Sequence, residues 1–131
     1  MRTHIEGVFE VTSWSEEQTT GLEGTAKVTT ARIGQRFAGG IEAETVADMV
    51  MTYRDDGTAD FVGYQRVHGR IGDKSGTFVL QNTGQFDGKE ARTHFEVVTD
   101  SGSAELAGLR GTGVSIAPMG STGTFNLDYE L

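Results

Sequence analysis

The sequence predicts an all-β protein of about eight short-turned antiparallel strands. Three observations carry that reading. Apolar and polar residues alternate with period two along most of the chain, as half-buried antiparallel strands require. Val and Thr together number 28, against 16 for Leu and Ala, and β-branched residues suit a pleated surface better than a helix. Glycine accounts for 19 of 131 residues and proline for one, Pro118. Turns are therefore made mainly by Gly with Asp or Asn.

The first alternating run sets Ile5, Gly7, Phe9 and Val11 against His4, Glu6, Val8 and Glu10. Ser13 to Thr25 is the longest polar stretch and reads as a loop. Ala31, Ile33, Gln35 and Phe37 form the next apolar row. Glu42 to Met51 is compatible with a helix, because Val46, Met49 and Val50 share a helical face. It reads better as a strand, since Asp56-Gly57 and a further strand follow it. Phe61 to Ile71, Gly76 to Phe86, Arg92 to Val97 and Thr124 to Tyr129 complete the series. Asp100 to Gly111 is a second irregular stretch. Short turns and no convincing helix leave a sandwich or a closed barrel, and closure removes exposed sheet edges. No domain boundary is visible, so residues 1–131 read as one domain.

The turns propose a register. A two-residue loop at Asp73-Lys74 pairs Gln65 with Asn82 and Val67 with Leu80. An Asp87-Gly88 loop pairs Asn82 with Thr93 and Leu80 with Phe95. Gln65, Asn82 and Thr93 then form a polar row inside an apolar wall. Between Arg54 and Gly57 two turns compete. A type I turn with left-handed Gly57 points Met49, Met51 and Tyr53 inward and is preferred, because it gives the more apolar wall. A two-residue Asp56-Gly57 turn points Asp48 inward instead.

Composition excludes several functions. Lys plus Arg is 11 and Asp plus Glu is 19, a net charge of −8, which repels phosphate backbones and anionic membranes. The chain has no cysteine, hence no disulfide, thiolate metal site or cysteine nucleophile. No apolar signal-like or membrane-spanning run occurs, and the chain reads as soluble and cytoplasmic. His68 and His94 lie on outward faces about 10 Å apart across the strand between them, too far for a shared metal. No Ser–His–Asp arrangement is visible. The glycine runs lack a P-loop ending and read as corners and turns. Arg32, Arg36, Arg66, Arg70 and Arg92 alternate outward among acids as a solvated face or an oligomer contact.

Several segments resemble a bacterial family catalogued as domain of unknown function 3224. They are Gly7-Val8-Phe9-Glu10-Val11 with Ser13-Trp14, Met51 to Thr58, Phe61-Val62-Gly63, Ser75 to Gly84, and Gly102 to Gly113. The last run also resembles the glycine-rich stretch of allene oxide cyclases and plant dirigent proteins. The resemblance implies an eight-stranded antiparallel barrel of the allene-oxide-cyclase-like type. It also implies an apolar lumen that binds small molecules and guides cyclisation or coupling, and a homo-oligomeric state. The family often carries Glu at Gln65, His at Asn82 and Glu at Asp48. A Glu–His pair could exchange protons, whereas Gln and Asn only donate and accept hydrogen bonds. A fatty-acid-binding barrel is not matched, because its helical pair and early Gly-Thr-Trp run are missing. A lipocalin is not matched either, because Trp14 follows Thr12-Ser13.

The expected ligand-binding residues are Gln65, Asn82, Thr93, Tyr53, Met49, Phe61, Phe95 and Tyr129. The polar three serve either as a ligand anchor or as a self-satisfied core cluster. The aromatics and methionines line a pocket or simply fill the barrel. Tyr53 and Tyr129 are preferred as pocket residues because their hydroxyls need partners. The leading reading is a small-molecule barrel without metal or cofactor. If catalytic, it is an isomerase or cyclase acting by confinement, with Tyr53 and, only under the Asp56-Gly57 turn, Asp48 as candidate catalytic groups. The alternatives are a non-catalytic carrier and a filled structural barrel.

Overall fold

The computed structural model describes residues 2–19, 21–118 and 122–131. Eight strands run in chain order: β1 (Arg2–Gln18), β2 (Val28–Gly39), β3 (Ile41–Tyr53), β4 (Ala59–Ile71), β5 (Lys74–Phe86), β6 (Glu90–Val97), β7 (Arg110–Pro118) and β8 (Thr122–Glu130). Each pairs antiparallel with the next, and β1 pairs with β8, so the sheet closes into a barrel. Closure gives every strand two neighbours, which removes the open edge strands of a flat sheet.

β1 is longer than expected. The polar segment beyond Val11 continues the ladder with β2 up to Gln18, and a bulge separates Val11 from Ser13. The bulge reverses the alternation. Phe9 and Val11 face inward before it. After it, Trp14 and Glu16 pair with the buried Ile33 and Ala31 and face inward instead.

The hairpin turns preserve the expected faces but slide the partners by two residues. β4 and β5 are joined by Gly72-Asp73, with Gly72 at φ 60°. β5 and β6 are joined by Gly88-Lys89, with Gly88 at φ 96° and the Asp87 amide bonded to the Glu90 carbonyl. Each glycine occupies the first loop position, where the chain requires positive φ. Gln65 therefore pairs with Leu80, Asn82 with Phe95, and Thr93 with Gly84. A slip of two keeps every side chain on its face, which is why the buried set stands as expected. The β3–β4 turn takes the preferred form: Gly57 has φ 87°, the Gly57 amide donates to the Arg54 carbonyl, and Met49 and Met51 are buried.

One barrel end is packed solid. Ile41, Ile71, Leu80, Val97 and Leu127 meet there, and Leu106 and Leu109 from the β6–β7 connection plug it. That connection contains a short 3₁₀ turn, Ala104–Leu106. It also completes the hydrogen bonding of β5. Because β6 is short, the amides of Ser75, Thr77 and Val79 lack strand partners there. They donate to the side chains of Glu105, Ser103 and Ser101 at 3.0–3.1 Å.

Aromatic rings in the interior lie over glycines of the neighbouring strand. Phe61 faces Gly84, Phe95 faces Gly113, and Phe9 and Phe125 face Gly123 and Gly7. A Cβ added at Gly84 would lie 2.5 Å from the Phe61 ring. The glycine supplies the volume that the ring fills.

Candidate functional site

The other end of the barrel is hollow. A cavity of about 330 Å³ opens between Trp14, Tyr53, Phe61, Phe86 and Pro118 and descends to Phe9, Phe37 and Phe95. Its upper wall draws on the second apolar cluster, of which Ile33, Ala47, Met49 and Met51 line the space. Phe37 stacks obliquely on Phe9 and Phe125, with ring centroids 5.6 and 5.0 Å apart. These rings close the cavity against the packed end.

A belt of neutral polar side chains crosses the interior at this level. Gln35 pairs with Thr45 across β2 and β3. Gln65 Nε2 donates to Gln35 Oε1 and to Thr45 Oγ1, each at 2.8 Å. Asn82 Nδ2 donates to Gln65 Oε1 at 3.0 Å. None of the contacts from Gln65 joins direct strand partners. Gln65 reaches Thr45 and Asn82 diagonally, because strands of a closed barrel tilt and residues at one height step along successive strands. Thr93 is the next diagonal step beyond Asn82 and lies directly opposite Ser115. Both line the cavity. Among the described residues no hydrogen bond joins Thr93 to Asn82.

The orientation of the belt follows from one backbone group. Thr45 Oγ1 donates to the Gln35 carbonyl at 3.3 Å, an acceptor that cannot be flipped. Its remaining capacity toward Gln65 is as an acceptor, so the Gln65 amide nitrogen faces Thr45 and the Gln65 oxygen faces Asn82. The Asn82 nitrogen must then face Gln65. Asn82 Oδ1 is left buried without a donor among the described residues. Gln65 and Asn82 are each 4% exposed.

At the mouth, Glu16 collects three donors: Trp14 Nε1 at 3.1 Å, Thr29 Oγ1 at 2.6 Å and the Tyr53 hydroxyl at 2.5 Å. Desolvation opposes its ionisation, but the three hydrogen bonds and the Lys27 charge outweigh it and hold the carboxyl below its ordinary pKa. Desolvation first, then the bond to Glu16 and its charge, pushes the Tyr53 hydroxyl up. Lys27 Nζ sits 4.6 Å above the Tyr53 ring, a cation–π contact at the rim.

The cavity thus brings together seven of the residues expected from the sequence: Gln65, Asn82, Thr93, Tyr53, Met49, Phe61 and Phe95. Two expectations are corrected. Tyr129 packs against the core of the solid end and does not line the cavity, because β8 carries it toward the opposite rim. Asp48 lies on the outer face. Its carboxylate binds Arg32 Nε and Arg66 at 2.8 Å each. The Arg32 hydrogen bond foremost, with both arginine charges, lowers its pKa. It cannot act on anything in the lumen. Arg32, Arg36, Arg66 and Arg92 all form ion pairs with acids on the outside.

The sequence reading passed over Gln35, Thr45, Trp14 and Glu16 as site residues. Gln35 and Thr45 stand in inward alternating rows, so the signal was present. Trp14 and Glu16 turn inward only through the bulge. Among the described residues there is no cluster of His, Asp or Glu fit to hold a metal ion, and no helix is long and apolar enough to cross a membrane.

The fold and cavity define a class: a closed eight-stranded antiparallel barrel, packed at one end and hollow at the other. The chain belongs to the family described as "Protein of unknown function (DUF3224)", whose model matches residues 5–129. It is similar to a DUF3224-family protein of unknown function from Shewanella oneidensis MR-1. That crystal structure has 28% sequence identity and a TM-score of 0.84, over 100% of this chain and 98% of the other. A search of curated proteins finds no match.

Proposed function

We propose that the barrel binds one small, mostly apolar molecule in its lumen. The observation that supports this most directly is the 330 Å³ cavity, walled by aromatic, Met and Ala side chains above a neutral amide belt. Its size lies within the range of about 300–1,000 Å³ usual for ligand pockets, and so does its pattern of few polar groups on apolar walls. A packed barrel needs no such space.

Retention fits this wall better than acid–base turnover. Gln65, Asn82, Gln35 and Thr45 do not ionise near neutral pH. Glu16, the carboxylate at the rim, already accepts three hydrogen bonds, which makes it a weak base. A reactive guest would isomerise or cyclise here through confinement of its shape alone.

The test is titration with N-phenyl-1-naphthylamine, an apolar fluorophore that brightens in dry surroundings. Saturable one-to-one enhancement is expected. Ala91→Phe, which fills the mouth from β6, should abolish it without lowering Tm by more than a few degrees. Enhancement that never saturates, or that survives unchanged in Ala91→Phe, sinks the proposal. Native mass spectrometry of freshly purified protein then identifies any guest carried from the cell.

A further inference from the structure

Asn82 lines the cavity, and its Oδ1 is buried with no hydrogen-bond partner among the described residues. We infer that the guest carries a hydrogen-bond donor, a hydroxyl or an N–H, on an otherwise apolar skeleton, and that Asn82 Oδ1 receives it. This rests on the lumen being a ligand pocket.

Three features narrow the chemistry. First, the polarity of Asn82 is set from a backbone carbonyl through Thr45 and Gln65, so the amide cannot turn to offer its nitrogen without losing its bond to Gln65 Oε1 and setting two oxygens against each other. Second, the hydroxyls of Thr93 and Ser115, which line the wall beyond Asn82, rotate and serve as donor or acceptor. They accommodate the far side of a hydroxyl group and do not discriminate against it. Third, among the described residues no Lys, Arg or His lines the cavity. A carboxylate would lose its hydration without a countercharge and would face the Asn82 lone pairs. The class is therefore an apolar alcohol, phenol or N–H compound, and not a ketone, an ether or a carboxylate buried beside Asn82.

An acceptor-only guest would leave Asn82 Oδ1 buried and unpaired, a loss worth about tenfold or more in affinity. The test compares 4-tert-butylphenol, its methyl ether and 4-tert-butylbenzoate. Protein carrying ¹³C-methyl methionine is titrated with each, and the Met49 and Met51 signals report occupancy. The phenol should bind at least about tenfold tighter than the ether, although the ether is the more hydrophobic of the two. The benzoate should bind weakest. The side-chain amide signals of Asn82 should shift with the phenol and not with the ether. Asn82→Leu should bring phenol and ether to equal affinity.

Equal binding of phenol and ether by the unaltered protein overturns the inference and leaves the pocket standing. Tighter binding of the benzoate does the same. A phenol preference that persists in Asn82→Leu overturns the assignment to Asn82. If none of the three moves Met49 or Met51, the pocket reading fails and this inference with it.

Discussion

Gln65 holds more of the interior polar network than any other side chain. It joins β2, β3 and β5 through three hydrogen bonds and is almost fully buried. Gln65→Leu keeps the volume and removes every one of them. Groups on Gln35, Thr45 and Asn82 then lose partners, so unfolding in urea should show a loss of about 1–3 kcal/mol. At the rim, Glu16 has a folded pKa below its unfolded one. The unfolded chain therefore binds more protons as the pH drops, and the stabilisation present above about pH 4.3 disappears as pH falls through the folded pKa. Tyr53→Phe removes one of the causes, and its stability should fall less steeply with acid between pH 5 and 3. An equal slope in both proteins would show that the bond does not form in solution. Gln65 and Asn82 were legible as neighbours because both interrupt apolar inward rows. Their exact contact was not, because it is diagonal and depends on barrel tilt. Asp48 hung on one turn residue: left-handed Gly57 decides which of Asp48 and Met49 sees the lumen.

Whole strands follow from alternation, and their ends follow from less visible chemistry. Each hairpin glycine takes the first loop position, which shifts the pairing by two and leaves the faces alone. Period-two pattern cannot sense that shift, since both registers bury the same residues. The β1 bulge is harder still. Nothing in a polar run announces an extra residue, yet it turns Trp14 and Glu16 toward the mouth. Deleting Thr12 removes the unpaired residue and should leave an unbroken ladder in which Trp14 and Glu16 keep their inward places opposite Ile33 and Ala31. The acid limb of the stability curve should then keep the slope of the unaltered protein, unlike that of Tyr53→Phe. Cross-strand packing makes its own demand. Gly84→Ala places a methyl 2.4 Å from the Arg92 carbonyl and against the Phe61 ring. Thermal unfolding should report a loss of about 1–3 kcal/mol. The β6–β7 connection was legible as an irregular stretch, but its attachment to β5 was not, because side chains as well as backbone groups satisfy the end of β5 there.

On the scale of the molecule, the two ends of the barrel do different things. The lower end carries the larger core, sealed by Leu106 and Leu109, both at most 1% exposed. The upper end is a shell around space. Native-state hydrogen exchange should reflect this, with amides of Val67 and Phe78 opening only with global unfolding and those of Tyr53 and Phe61 opening earlier. Adding a tight guest should slow exchange at the upper sites selectively. Uniform protection along each strand would contradict this picture.

The amide belt gives this arrangement a historical meaning. Below it, a change of one methyl group disturbs packing on which folding depends. Above it, Ala47, Met49, Met51 and Ala91 border empty volume, where size can change with little strain. Selection can therefore recut the chamber for a new guest while the lower half, and with it the shape of the protein, stays as it is.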